Sequence, residues 1–547
     1  MEKQPTVAYF CMEYGLQSDF KIYAGGLGIL AGDLLKAAKD LKKPVVGIGI
    51  LWRQGSTRQV IHENGWPMDC FPEYQYDFLK DTGITVCVSV RERPVKLKVW
   101  LCDCFDNAPL FLLDANLPEN ADRLITGQLY GWFNEERIAQ EIILGIGGVR
   151  ALRALRALGI QADLYHFNDS HPMFASFELI REEMEAGLSF KEARAKVRQS
   201  IVFTTHTPVA AGNEVHEHKL LEYMGAYNGL SYEQVKEIGG DPFNMTVAGL
   251  RMARLANGVA ALHAQTAQKM WAGVSDAAPI LAVTNGVHNG TWQDKAIRDA
   301  YLTGRPLMPV HKRLKMHLLG EIERRCGVRL NPEALTIGFA RRAAPYKRGD
   351  LIFGKMELIE PLLKNGTLQL IFSGKAHPND LTGKEIVSKM VRMARKYPSS
   401  IVFVQDYDMH VGAMLTRGCD VWLNTPLRPL EASGTSGMKA AMNGVLNLSI
   451  LDGWWPEGCI SGVNGWQIGD GIQGEGEEQD DRDRESLYKA LFDEVLPAWY
   501  QHPATWESMM RMSVQMATDR FSAARMLSDY YENMYKILPE GPVKTQA

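Results

Sequence analysis

"LTIGFARRAAPYKRGD", residues 335–350, runs from a short apolar stretch straight into four cations, with no acid before Asp350. A run of this length that is apolar on both faces reads as a strand buried on both sides of a sheet. Arg341, Arg342, Lys347 and Arg348 then fall where the strand gives way to a loop, and a helical pattern follows. That unit of short strand, polar loop and helix recurs along the chain, which is the signature of parallel sheets covered by helices.

Upstream, "TVAYFCMEY", "KPVVGIGILW", "DLYHFND", "SIVFTTHTP" and "ILAVTNG" read as strands, and "AGDLLKAAKDL", "EERIAQEIILGIGGVRALRAL" and "PMFASFELIREEMEAG" have helical spacing of apolar residues. Downstream, "LQLIFSGKA", "SIVFVQDYD" and "CDVWLNTP" repeat the rhythm. The chain is therefore expected to be α/β with two units in series, 1–290 and 291–547, joined through "TNGVHNGTW" and a helical connector in the region 285–330. A stretch from about 56 to 113 has strand signals without intervening helices and is predicted to form an antiparallel addition to the first unit. The glycine-rich acidic segment 469–485 reads as a solvated loop before a helix, without a chemical role. No repeat of solenoid period is found.

Composition narrows the function. The 547 residues carry 60 basic and 64 acidic side chains, mixed rather than blocked, so no nucleic-acid or membrane-surface footprint is expected and small-molecule partners are favoured. The eight cysteines form no C-x-x-C pair, which argues against a zinc or disulfide framework and for a reducing compartment. No signal peptide or spanning run is recognisable, and a cytoplasmic location is expected.

In two-unit α/β proteins the ligand lies beyond the carboxyl ends of the strands, so polar residues following strands should share a cleft. Asn168, Asp169 and His171 in "NDSHP", His206 and Thr207 in "THTP", and Asn285 in "TNG" occupy such places and read together as a hydrogen-bonding wall for a hydroxyl-rich ligand, although any one histidine is more often structural than catalytic. A metal role for these histidines, or for His216 and His218 in "VHEHK", lacks a recognisable ligand spacing, and no metal is expected. The cations of 341–348 read as a phosphate site, with a solvated basic loop as the alternative.

Two glycine-bearing stretches precede helices. In "YAGGLGILAGDLLKAA", Gly26, Gly28 and Ala31 fit G-x-G-x-x-A, but the acid expected about 20 residues on is missing, so a phosphate site or a plain capping turn competes with a dinucleotide site. In "EASGTSGMKAAMNG", residues 431–444, Gly434, Thr435, Ser436 and Gly437 lead into a helix carrying Lys439; this is not a Walker A loop. Nearby cations would lower the pKa of Lys439 and favour the neutral amine that forms a Schiff base, which suggests pyridoxal phosphate among several open readings.

Taken in order, "GGLG", "NDSHP", "THTP", "TNG" with Trp292, "ARRAAPYKR" and "EASGTSGMKAAMNG" resemble the α-glucan (glycogen, starch, maltodextrin) phosphorylases, particularly their short bacterial and archaeal branch, over roughly residues 7–470. The resemblance implies two Rossmann-like domains in the arrangement of a retaining glycosyltransferase of the B type (GT-B), an interdomain active-site cleft, and a C-terminal helix returning to the first domain. It implies pyridoxal 5′-phosphate on Lys439 as a tether, with Thr435, Ser436 and Gly26 at phosphate groups and Tyr407 and Trp292 beside them. Arg342 and Lys347 would hold the substrate phosphate. Glu431, Ser433, Gly434, Asn285, Leu27 and His206 would meet the transferred glucosyl unit, and Asp169, His171, Thr207 and Asn134 the adjoining pocket. The implied partners are an α-1,4-glucan and orthophosphate or glucose 1-phosphate, with a homodimer common among relatives.

Such chemistry explains why no pair of carboxylates stands out as in a glycosidase: orthophosphate can itself protonate the departing oxygen. Two departures stand out. The chain starts almost at the first predicted strand, so the N-terminal regulatory extension of the animal enzymes is not expected, and Phe133 in "GWFN" stands where many relatives carry an acid. The alternatives are a nucleotide-sugar-dependent glucosyltransferase of the same architecture, which needs no such lysine, and a glucan-binding homologue without turnover.

Overall fold

A computed structural model describes residues 4–131, 134–208, 212–474 and 476–536. Nine strands form one sheet in the order Ile280–Ala282, Leu255–Gly258, Ile201–Thr204, Leu164–Asn168, Val7–Phe10, Val45–Ile50, Leu110–Asp114, Arg93–Cys102 and Lys80–Val90. Six form a second sheet in the order Ile401–Val404, Leu368–Ser373, Leu335–Ala340, Val421–Asn424, Leu446–Ile450 and Gly465–Ile468. All pairings in the second sheet are parallel, as are those joining the first seven strands of the first. Counting only the parallel strands, chain order across both sheets is 3-2-1-4-5-6, the doubly wound order of Rossmann-type sheets, with a seventh parallel strand on the first beside its two antiparallel ones.

The sequence explains which strands go inside. Val7–Phe10, Val45–Ile50, Leu164–Asn168 and Leu335–Ala340 are buried along their whole length, as strands covered by helices on both faces must be. Lys80–Val90 alternates exposed and less exposed residues, the pattern of a strand with one wet face.

The expected addition over 56–113 divides into three parts. Lys80–Val90 and Arg93–Cys102 extend the first sheet antiparallel, and Arg58–Ile61 with Pro67–Cys70 forms a separate ribbon. Leu110–Asp114 is antiparallel to Arg93–Cys102 but parallel to Val45–Ile50, because its four apolar residues "LFLL" are buried on both faces and it takes the third place of the wound set.

The acidic segment is not a loop throughout: Gly476–Ala490 is a helix. Its acids have a use that composition does not reveal, since Arg348 donates to Asp480 Oδ1 and Asp483 Oδ2, both at 2.6 Å, and to the carbonyls of Thr425 and Pro426.

The connector consists of Asn289–Trp292, Lys295–Leu302 and the 19-residue Met308–Cys326. The late helix Ala523–Asn533 buries Met526, Leu527 and Tyr530 in the same core as the first sheet, and the Tyr535 hydroxyl meets His166 Nδ1 at 2.5 Å. Other groups tie the two sheets' loops together: Ser18 and Lys21 reach Asp408, and Gln59 exchanges hydrogen bonds with the backbone of Ala376. Among the described residues no helix is long and apolar enough to cross a membrane.

Candidate active site

Both sheets reverse strand order at their first strand, and the loops leaving the carboxyl ends there carry most of the expected site residues. After Val7–Phe10 comes the turn to the helix Gly26–Asp40, which packs so closely that a Cβ on Gly32 would lie 2.1 Å from the Gly15 carbonyl oxygen. Buried Glu13 accepts hydrogen bonds from the amides of Ala24 and Gly25 and from the Tyr130 hydroxyl, so an internal carboxylate already holds part of the glycine turn. Gly26 is different: no atom lies within 4 Å of the place a Cβ would take, so this chain's own packing does not demand glycine there. Leu27 is half-buried beside it.

Lys439 lies in the seven-residue helix Ser436–Met442, 6% exposed, with Nζ 3.6 Å from the centroid of the Trp292 ring. The indole Nε1 donates to both oxygens of Asp33, at 2.8 and 3.0 Å, and Asp33 also accepts from the His288 amide. Burial lowers the Lys439 pKa to about 8, against the opposing pull of Asp33. The mechanism is therefore not the one expected from sequence. Neighbouring cations do not set it, since Arg341 and Lys347 are occupied elsewhere.

Their partner is Glu431. Lys347 Nζ lies 2.6 Å and Arg341 2.6 Å from its Oε2, and these cations hold the buried carboxyl down to about 2 in spite of its desolvation. With Arg348 bound to Asp480 and Asp483, three of the four cations are paired with acids from distant sequence, Arg341 and Lys347 sharing the one carboxylate of Glu431 and so keeping a net positive charge. Arg342 is exposed and has no ion pair among the described residues. Gly434 adopts φ +80°, a left-handed conformation that favours glycine, and a Cβ there would stand 3.3 Å from an Arg341 nitrogen. Glu431 is fixed from behind by Asp452, which accepts its amide at 2.9 Å and which burial pushes up to about 7.

In the first unit, His206 Nε2 lies 2.5 Å from Asn168 Oδ1, and burial holds its pKa at about 4. Asp169 takes φ +72°, an unfavourable conformation for a non-glycine residue. His171 is likewise neutral by burial, at about 4, with its ring 5.8 Å from that of Tyr130. Thr207 lies against Gly212. Asn134 is exposed at the start of the helix Glu135–Ile142, and Phe133 lies outside the described residues. Tyr407 is half-buried, and burial pushes its hydroxyl up to about 12. Thr435 and Ser436 open the Lys439 helix, where the Ser436 hydroxyl accepts from Trp422 Nε1 at 3.1 Å.

Several buried polar atoms have no hydrogen-bond partner among the described residues: Asn285 Oδ1, Ser433 Oγ, Arg341 Nη1 and His171 Nδ1. Buried polar groups are normally satisfied, so these four have hydrogen-bonding capacity to spare, as do others elsewhere in the fold such as His311 and Ser513. All four residues follow strands. Glu13, Asp33 and Asp452, by contrast, carry no recognisable spacing; only the fold brings them to the site.

The sequence profile of the carbohydrate phosphorylases matches residues 293–455, which include Arg341, Lys347, Glu431 and Lys439. Over 97% of its length the chain is 39% identical to a maltodextrin phosphorylase of Thermococcus litoralis, covering 70% of that protein. It is 36% identical over 98% of its length to a glycogen phosphorylase of Aquifex aeolicus, covering 87%, and 37% identical over 97% to one from Mycobacterium tuberculosis, covering 71%. With a lysine stripped of solvent at the reversal point of a doubly wound sheet and this breadth of identity, the chain belongs to the carbohydrate phosphorylase family of glycosyltransferases.

Proposed function

We propose that the protein catalyses reversible phosphorolysis of α-1,4-glucans such as glycogen, starch and maltodextrins, releasing α-glucose 1-phosphate with retention. In this reading the units 1–290 and 291–547 form a GT-B pair of Rossmann-like lobes with the glucan between them. The carrying observation is the set of orphaned buried polar atoms on Asn285, Ser433, Arg341 and His171, together with a desolvated lysine under Trp292. The named relatives support the same substrate class.

Pyridoxal 5′-phosphate fits the second unit. Lys439 would tether it, Trp292 and Tyr407 would flank it, and Thr435, Ser436 and the uncrowded Gly26 would meet phosphate oxygens. When bound, it supplies a phosphate group that keeps the substrate phosphate protonated and placed.

The chain's own residues do the rest. Arg342, having no ion pair among the described residues, takes the substrate phosphate, while Lys347 and Arg341, two cations sharing the one carboxylate of Glu431, leave a net positive charge beside it. Glu431, ionised at every physiological pH, is a fixed acceptor for sugar hydroxyls. His206 stays neutral; if its Nε2–H donates to Asn168, Nδ1 remains an acceptor, so it positions a hydroxyl without adding charge. Ser433, Gly434, Asn285 and Leu27 complete the glucosyl pocket, and Asp169, His171, Thr207 and Asn134 line the next one.

Incubation with maltodextrin and orthophosphate should release glucose 1-phosphate. Absence of release from cofactor-loaded protein, or glucosyl transfer from a nucleotide sugar that survives Lys439→Ala, would overturn the reading.

A further inference from the structure

A second cluster of titratable groups lies apart from Lys439, in the first unit. Glu141, on the inner face of the helix Glu135–Ile142, is fully buried, and neither carboxylate oxygen has a hydrogen-bond partner among the described residues. Glu214 and His216 approach it from the short strand Val215–His216 and the residue before. His216 is 8% exposed, and among the described residues neither its buried Nε2 nor Glu214 Oε2 has a hydrogen-bond partner. His216 Nε2 stands 3.5 Å from Glu141 Oε2 and 3.8 Å from Glu214 Oε2, and the three groups offer ligand atoms within 4.8 Å of one another.

Those separations have a chemical meaning. Ligand atoms bound tetrahedrally at about 2.0–2.2 Å stand roughly 3.3–3.6 Å apart; the two distances from His216 are already close to that, and the two carboxylates, within 4.8 Å of each other, would close on an ion by rotation of their side chains. Charge points the same way. The nearby cation is Arg137, whose Nε is 3.4 Å from Glu214 Oε1 and whose guanidinium lies over the Tyr130 ring; burial pushes both carboxyls up to about 7, so a bound cation would take the place of the proton they otherwise keep between them. His218, the neighbour suggested by sequence, does not take part: its nitrogens meet the Tyr227 hydroxyl at 2.8 Å and the Gly240 carbonyl at 2.7 Å. Glu141 replaces it from a distant helix, which is why ligand spacing was invisible in the sequence.

We propose that Glu141, Glu214 and His216 bind one divalent transition-metal ion of the zinc or manganese class, with water completing its coordination. One imidazole and two carboxylates suit either ion. The ion would staple the segment following His206 and Thr207 to the helix Glu135–Ile142, and would lie near His171, which senses the charge of Glu214. Its role is to hold that wall of the cleft in place. The inference does not depend on which reaction the cleft performs.

The test is metal content. Full-length protein is stripped with chelator, dialysed against Zn²⁺ or Mn²⁺, desalted and analysed by mass spectrometry of the metal, alongside Glu141→Gln, His216→Gln and the surface control His317→Gln. Wild type and His317→Gln should retain one equivalent, and the two cluster variants should bind roughly tenfold or more weakly. X-ray absorption of the zinc form should give a shell of nitrogen and oxygen with a single imidazole. No retained equivalent in the wild type, or one that both cluster variants keep, overturns the proposal and leaves the carboxyls to share a proton. If the variants fail to fold, the wild-type spectrum still decides: sulfur or more than one imidazole in the shell rules the cluster out.

Discussion

Lys439 loses its proton readily because water is excluded, and Asp33 is the group that resists this. Uptake of pyridoxal phosphate by apoprotein should therefore quicken as pH rises through about 8, followed by absorbance. Asp33→Asn removes the opposing charge and should move that midpoint lower, while borohydride reduction and peptide mapping should still place the pyridoxyl group on Lys439. Glu431 gives the opposite sign. Its carboxyl lies at about 2 in the fold against an ordinary 4.5, so its contribution to stability is present above the ordinary value and is lost as pH falls toward 2. Glu431→Gln should abolish that part of the acid limb in denaturant titrations and, by leaving Arg341 and Lys347 buried and unpaired, should cost about 3 kcal/mol at neutral pH. Residues at strand ends were legible in sequence because topology alone aims them at one edge. Their charge states were not, since these depend on Asp33, Glu431 and Asp452 arriving from elsewhere.

Elements were legible where burial leaves a plain mark. Strands apolar on both faces, such as Val45–Ile50 and Leu368–Ser373, stand out from any background. Leu255–Gly258, "LANG", does not, because its strand state comes from pairing between neighbours rather than from β-branched side chains. The helix Gly476–Ala490 was obscured for another reason: its acids looked solvated, yet Asp483 is 3% exposed and bonded to Arg348. Arg348→Ala should strand Asp480 and Asp483 without their cation and destabilise the protein by about 3 kcal/mol in urea unfolding. Because Arg348 also holds the Thr425 and Pro426 carbonyls, the same variant should loosen the loop leading to Glu431 and raise KM for phosphate more than it lowers kcat.

At the scale of the molecule, the first sheet's core is completed by a helix from the far end of the described chain. Leu527 is fully buried there, and Leu527→Ala should cost about 2–5 kcal/mol. Hydrogen exchange should locate the damage: Val7–Phe10 and Leu164–Asn168 should lose protection before Leu335–Ala340 does. The same arrangement sets an order of events during synthesis. The first sheet's strands are all made by residue 282, but the side chains that seal their core begin at 523. At about 5–20 residues per second the ribosome needs roughly 10–50 s to cover that interval. Throughout it the nascent chain carries an unroofed apolar surface, which stays open to association with other chains until the helix Ala523–Asn533 emerges.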